Sequence, residues 1–259
     1  MYPNFKTKPF VHQLQALGCS WDKTNFAYFM EMGTGKSKVL IDNIAMLYDA
    51  GKINAAVVIA PKGVYRNWER LEIPAHLPDH IKTRITTWVA PSSRTKQDKK
   101  DIDKLSETFD GLDIFLMNVE ALSSKPAAEF LERYLLSTNS LVAVDESTTI
   151  KTISASRTKN LIRSSRQAKY RRILTGSPVT KNPLDLYSQC QFLDEDLLGF
   201  SSYYAYKARY AIEVKRHSST HAFNHVVGFR NLDELSYRLS QFSFRVLKED
   251  CLDLPSKVY

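Results

Sequence analysis

The sequence predicts an α/β fold: a central, mostly parallel sheet with helices on its faces. Three observations carry that prediction. Strand-like apolar runs alternate with helix-like stretches from Phe26 to Arg172. Several of those runs are apolar throughout, as parallel strands buried on both faces are. A glycine-rich loop joins the first run to the first long helix, and open α/β sheets bind ligands at such strand ends.

The strand candidates are 26–30 (FAYFM), 55–60 (AAVVIA), 85–89 (ITTWV), 113–117 (DIFLM), 141–144 (LVAV) and 172–174 (RIL). Helical periodicity follows them at 36–49, 64–73, 98–107, 127–136 and 154–164. Segment 92–100 (SSRTKQDKK) reads as a polar surface loop. After about Leu184 the pattern turns helical and aromatic-rich, without strand alternation. The terminal LDLPSKVY reads as a linker.

The chain of 259 residues carries 36 Lys+Arg against 28 Asp+Glu, a net charge of +8. That length suits one large domain or two small ones. Cys19, Cys190 and Cys251 form no CxxC pair, which excludes a disulfide framework or cysteine zinc site as the organising feature. No apolar run approaches the ~18 residues of a membrane span, and MYPNFKTKPFVHQ holds no secretory signal core. The positive surplus is local. Nine basic residues and no acidic ones lie in 147–184: Lys151, Arg157, Lys159, Arg163, Arg166, Lys169, Arg171, Arg172 and Lys181. Composition leaves two readings open, a solvated basic surface or a phosphate-facing one.

FAYFM runs into EMGTGKS and then a helix near Lys36. Gly33 and Gly35 open backbone conformations closed to other residues. Successive N–H groups of Met32, Gly33, Thr34 and Gly35 can then wrap phosphate oxygens, reinforced by the helix N-terminus. Lys36 would reach the β- and γ-phosphates, and Ser37 would coordinate Mg²⁺. The first glycine of the usual GxxxxGK[ST] pattern is replaced by Met30. Asp145 and Glu146 end the LVAV strand. Asp145 would hold the Mg²⁺, and Glu146 would be the base that orients or deprotonates an attacking water. The loop and the acidic pair together point to nucleotide hydrolysis.

Further segments resemble, in order, the motifs of Swi/Snf-type superfamily-two helicases. TKPFVHQ resembles the Q motif. IAPKGVYRNWERLEIPAH resembles motif Ia, with its Asn67-Trp68 pair, and FLMNVEALS resembles motif Ib. VDEST resembles motif II, with Ser-Thr in place of Ala-His. ILTGSPVTKNPLDLYSQCQFLD resembles motif III with its downstream helix, and 226–257 resembles the segment that closes the first lobe. The compact form is most similar to phage or prophage members.

The resemblance implies a RecA-like first lobe over 1–195, a helical Swi/Snf-type segment over 196–250 and a linker over 251–259. It implies ATP and Mg²⁺ as cofactors, with Gln13 reading adenine and Phe10 packing beside the base. Thr175, Gly176 and Ser177 would couple the γ-phosphate to movement between lobes. Lys62, Gly63, Arg66, Asn118 and Lys151 would face the phosphate backbone of double-stranded DNA, independent of sequence. The remaining partner is a second RecA-like lobe carrying motifs IV to VI, in a monomeric cytoplasmic protein of a bacterial or phage-infected cell. A lobe without those motifs is expected to bind ATP weakly, to hydrolyse it poorly and not to translocate. Thr148, where the family commonly has His, opens the question of how motif II couples to motif III.

Some features are set aside. His217, His221 and His225 would share a helix face, but HSSTHAFNH is a poor helix former and reads as a polar loop. His76 and His80 lie in a proline-broken stretch. Phe200, Tyr203, Tyr204, Tyr206 and Tyr210 read as helix core rather than a base-stacking platform. The competing functions are a nucleotide-gated, non-catalytic DNA-binding or scaffold module, and another P-loop enzyme such as an AAA-type ATPase or small kinase. Gln13 and TGSP argue against the last, and no NKxD motif supports a GTPase.

Overall fold

The computed structural model describes residues 4–176, 182–217 and 222–251. Helix α1 (Val11–Ser20) precedes strand β1 (Asn25–Met30), which leads through the glycine loop into α2 (Lys36–Asp49). Strand β2 (Ala55–Ala60) is followed by α3 (Tyr65–Asn67), a π-turn (Trp68–Glu72) and α4 (Ile73–His76). Then come β3 (Thr83–Thr87), α5 (Lys96–Asp103), β4 (Leu112–Asn118), α6 (Lys125–Leu136), β5 (Ser140–Asp145), α7 (Ser156–Ser164) and β6 (Tyr170–Thr175). The chain closes with α8 (Leu186–Leu193), α9 (Tyr203–Tyr210), β7 (Ala211–His217), β8 (Ala222–Phe229), α10 (Leu232–Ser240) and β9 (Ser243–Val246).

The main sheet has the order β3-β4-β2-β5-β6-β1-β9. Every pairing in it is parallel. Side chains alternate across such a sheet, so each central strand feeds two cores. Phe26, Tyr28 and Met30 of β1 join Ala56, Val58, Leu141 and Ala143 against α1 and α2. Ala27 and Phe29 join Val57, Ile59, Phe115, Val142 and Val144 against α6, α7 and α8. Burial on both faces explains why these strands read as unbroken apolar runs. The second core continues into Tyr206, Tyr210, Leu235, Leu239 and Phe242.

Several expectations need correction. The 196–250 segment is mixed rather than helical: α9 and α10 flank an antiparallel hairpin of β7 and β8, and β9 adds to the edge of the main sheet. The hairpin exposes Ile212, Val214 and Val227, so it shows no clean inside–outside alternation. The 92–100 loop gives way to α5, whose start is fixed by a Thr95–Asp98 capping box. The 64–73 helix is interrupted by the π-turn and extends to His76. Strand β3 begins two residues earlier than its apolar run. His217 and His225 lie on facing strands, not on a helix face, while His221 is outside the described residues. Tyr206 and Tyr210 are buried and in ring contact, as core aromatics are, whereas Tyr204 is exposed. No helix among the described residues is long and apolar enough to cross a membrane.

Four of the nine basic residues of the 147–184 segment are spent on internal hydrogen bonds or ion pairs. Arg172 is fully buried. Its guanidinium donates to Asn43 Oδ1 and to the carbonyls of Thr24, Arg171, Ser20 and Lys23. Arg171 donates to the Phe192 carbonyl (3.4 Å), and Arg166 pairs with Glu195. Lys151 pairs with Asp185 (3.2 Å). Lys181 lies outside the described residues. A surplus visible in the composition is therefore not a single phosphate-facing stripe.

Candidate functional site

Strands β5, β6 and β1 are neighbours, so their C-terminal ends meet. The register sets Asp145 opposite Leu174, and Phe29 opposite Thr175. Asp145–Glu146, Thr175–Gly176 and the loop after Met30 thus converge at one edge of the sheet. Ser177 lies outside the described residues.

The loop takes the conformation its glycines allow. Gly33 has φ +85° and Gly35, the N-cap of α2, has φ +81°. At Gly35 there is also no space: a Cβ would lie 2.2 Å from Gln13 Nε2. Thr34 is buried, and its hydroxyl donates to the Glu31 carbonyl (2.7 Å). Met32 is exposed at the loop tip. A loop with two left-handed glycines in front of a 14-residue helix fits a phosphate chain.

Gln13 reaches this loop from α1. Its Nε2 donates to the Thr34 carbonyl (3.1 Å), and its Oε1 accepts from the Phe10 N–H (3.0 Å). One N–H and one lone pair of the amide remain, the pair that an adenine edge would need. His12, which the sequence reading passed over, also bonds the Thr34 carbonyl (2.8 Å) and stacks on exposed Phe10.

Lys36 Nζ lies 3.1 Å from Glu146 Oε1. Glu146 itself is left-handed, with φ +49°, a conformation disfavoured for a residue with a Cβ. That turn ends β5 sharply and swings the carboxylate toward Lys36. Asp145 is buried; its Oδ2 accepts from the Trp68 indole N–H (3.1 Å) and its Oδ1 from the Glu146 N–H (3.0 Å). Burial raises the Asp145 pKa, with the Lys36 charge opposing and Glu146 adding to the rise.

Two contributors were not foreseen. Trp68 is the largest fully buried side chain and buttresses Asp145. Burial pushes the pKa of Glu72, one turn further along the π-turn, up, while the Lys36 charge and the Ser37 hydroxyl oppose the rise. The i, i+4 spacing of Trp68 and Glu72 was the available signal. A π-turn is itself frequent at functional sites.

Motif II also has contacts that the Ser-Thr substitution concealed. Ser147 Oγ donates to Gln189 Oε1 (2.6 Å), and Ser188 Oγ donates to the Ile150 carbonyl (2.7 Å). With Lys151–Asp185, these tie the turn after β5 to the segment after β6. Gly176 packs against the loop: a Cβ there would lie 3.2 Å from the Met32 nitrogen.

The residues assigned to DNA fall into two groups. Lys62, Gly63 and Arg66 are exposed after β2, and Asn118 ends the adjacent β4. Glu120 links them, accepting from the Lys62 N–H (3.5 Å) and the Asn118 amide (3.2 Å). Lys151 lies elsewhere, paired with Asp185. Among the described residues no cluster of three His, Cys, Asp or Glu could hold a metal without other ligands.

Comparison with known proteins identifies the family. The family described as "SNF2-related domain" matches residues 22–259. The human DNA excision repair protein ERCC-6-like is 25% identical over 224 residues, 85% of this chain and 17% of that protein. The bovine DNA annealing helicase and endonuclease ZRANB3 is 28% identical over 230 residues, 88% of this chain and 20% of its own length. The yeast (Saccharomyces cerevisiae) TATA-binding protein-associated factor MOT1 is 36% identical over 92 residues, 35% of this chain and 5% of that protein. The chain thus spans a fifth or less of the length of these relatives. In fold it is similar to the Sulfolobus solfataricus SWI2/SNF2 ATPase core in complex with dsDNA. That similarity has a TM-score of 0.70 at 21% identity, covering 98% of this chain and 48% of that one. The chain belongs to the SNF2-related domain family.

Proposed function

We propose that this chain is the ATP-binding lobe of an ATP-dependent motor acting on double-stranded DNA. The observation that carries the reading is the convergence of the loop, Lys36, Asp145 and Glu146 at adjacent strand ends. The loop amides and Lys36 hold the phosphates, and Gln13 holds the adenine edge. Ser37 and Asp145 would hold Mg²⁺, which supplies Lewis-acid charge to the phosphates when bound. Burial makes an ionised Asp145 costly unless a cation sits beside it, which suits this residue to the task.

The Lys36–Glu146 pair gives the site a resting state. The ammonium that should neutralise phosphate and the carboxylate that should take a proton satisfy each other. A γ-phosphate competing for Lys36 frees Glu146 to orient or deprotonate the attacking water. Completion of the site falls to a second RecA-like lobe, and DNA contact to the exposed residues after β2 and β4. The dsDNA bound to the structural neighbour supports the choice of partner.

The test is nucleotide binding by this chain, followed by turnover in a protein that carries both lobes. Lys36→Ala should abolish Mg-ATP binding. Glu146→Gln should preserve binding and remove duplex-stimulated phosphate release by roughly 10²-fold or more. Unchanged turnover in Glu146→Gln sinks the assignment of the base; binding without turnover in the two-lobed parent favours the nucleotide-gated module instead. Full-rate duplex-stimulated hydrolysis by this lobe alone sinks the division of labour.

A further inference from the structure

The stretch after β9 brings a second lysine to the phosphate loop. Met30 pairs with Val246, so the residues just beyond Val246 lie level with the loop. Two backbone contacts fasten them there. The Glu31 N–H donates to the Val246 carbonyl (3.1 Å), and the Lys248 N–H donates to Glu31 Oε2 (2.8 Å). The Lys248 side chain then lies across Gly33. A Cβ built on Gly33 would meet Lys248 Cε at 3.2 Å and Nζ at 3.7 Å.

The charge balance at this point is incomplete. The ammonium of Lys36 is matched by Glu146, and that of Lys38 by Asp42. The Lys248 ammonium forms no salt bridge to any described residue; the nearby Glu31 carboxylate is engaged by the Lys248 backbone instead. Lys248 is half-buried and stands beside the N-terminus of α2, the positive end of a 14-residue helix. A cation at that end of a helix is electrostatically misplaced. An anion held in the loop removes the conflict, and a phosphate chain is the anion whose shape the loop fits.

We propose that Lys248 is a further phosphate-binding residue, contacting the nucleoside triphosphate from the Gly33 side while Lys36 contacts it from the other. This rests on the reading of the loop as an ATP site. It also makes the edge strand β9 part of that site, through the Glu31 latch.

The test is equilibrium titration of the chain with a fluorescent ATP analogue and Mg²⁺, comparing Lys248→Met, Lys248→Arg and Lys36→Ala. Unfolding midpoints without nucleotide verify the fold of each. The expected result is a roughly tenfold weaker Kd for Lys248→Met, near-parental binding for Lys248→Arg, and no binding for Lys36→Ala. Parental affinity in Lys248→Met alongside loss in Lys36→Ala overturns the role of Lys248 and leaves the ATP site standing. Binding equal in Lys36→Ala and the parent, or absent from the parent, overturns both. Should Lys248→Met shift the midpoint, Lys248→Arg decides: weakened binding in a fully folded Arg variant overturns the proposal, because a guanidinium keeps the charge.

Discussion

Replacing Arg172 by Met tests whether the basic segment belongs to the fold or to a ligand. The side chain is fully buried, and its guanidinium makes five hydrogen bonds. Counting each at its charge-assisted value would overshoot, because desolvating the guanidinium offsets much of the gain. The unpaired groups left behind set the cost more directly. The Ser20 carbonyl also accepts from the Lys23 N–H, and the Thr24 carbonyl from the Arg171 N–H. Asn43 Oδ1 keeps the Tyr28 hydroxyl at 3.4 Å. Only the Lys23 carbonyl loses its one partner among the described residues, and residues 22–24 are exposed enough for water to reach them. One orphaned carbonyl plus several weakened contacts gives a loss on the order of 3 kcal/mol. For a chain of this size that lowers the midpoint by roughly 6–12 °C. Lys at the same position has three donors and no planar fork, so it should recover little.

The assay is thermal unfolding of Arg172→Met and Arg172→Lys, with retention on duplex DNA at a temperature where all variants are folded. Stability should fall and DNA retention should stay at the parental level, because the guanidinium does not reach the surface. A midpoint drop below ~3 °C, about 1 kcal/mol for a chain of this size, refutes the reasoning. So does a folded Arg172→Met that has lost DNA.

Two further perturbations follow from the buried polar groups. Trp68→Phe removes the indole donor to Asp145 Oδ2, costing about 1.5–3 kcal/mol and raising the Asp145 pKa further. Thermal unfolding and the pH profile of Mg-ATP binding check this; an unchanged midpoint with a parental profile counts against it. Asp42 is buried beside Lys38, and burial raises its pKa from 3.8 to about 6. Between those values the native state holds more protons than the unfolded chain, so Asp42 makes the protein lose stability as pH rises through that window. Asn does not titrate. The stability of Asp42→Asn relative to the parent should therefore climb by on the order of 2–3 kcal/mol from pH 4 to 6.5 and then level off, whatever its constant offset. Urea titrations across that range measure it, and a flat difference rejects the assignment.

What could be read from the sequence was whatever is local or doubly buried. The apolar runs announced β1, β2, β4 and β5 because each must fill two cores at once. The loop and the acidic pair were legible because their chemistry needs particular residues at short spacing. Strand β9 was not, since SFRV, two half-buried residues with one exposed and one buried, becomes a strand only by pairing with β1. The hairpin of β7 and β8 was masked by apolar residues left exposed on it. Lys248 stands 217 residues from Glu31, beyond any local pattern. The basic segment misled in the opposite direction: proximity in sequence suggested a patch, while the fold sent Arg172 inward and Arg166 and Lys151 to carboxylates.

The sheet order explains why the site is more coherent than its scattered sequence suggests. Strands β5, β6, β1 and β9 are consecutive neighbours. Their ends carry Asp145–Glu146, Thr175–Gly176, the phosphate loop and Lys248, in that spatial order. The contacts between them are tight. A Cβ on Gly176 would sit tightly, 3.2 Å from the Met32 nitrogen, and Gly35 has no space for one beside Gln13. Close-packed contacts transmit displacement rather than absorb it. A loop that shifts to accept phosphate therefore presses on Gly176 and Gln13, and pulls on the Glu31 latch to β9. The turn after β5 is fastened in turn to α8 through Ser147–Gln189 and Lys151–Asp185. Those bonds join motif II to the segment downstream of TGSP. If the loop binds phosphate as proposed, its occupancy is expected to reach the segment after β6 and strand β9 along these contacts.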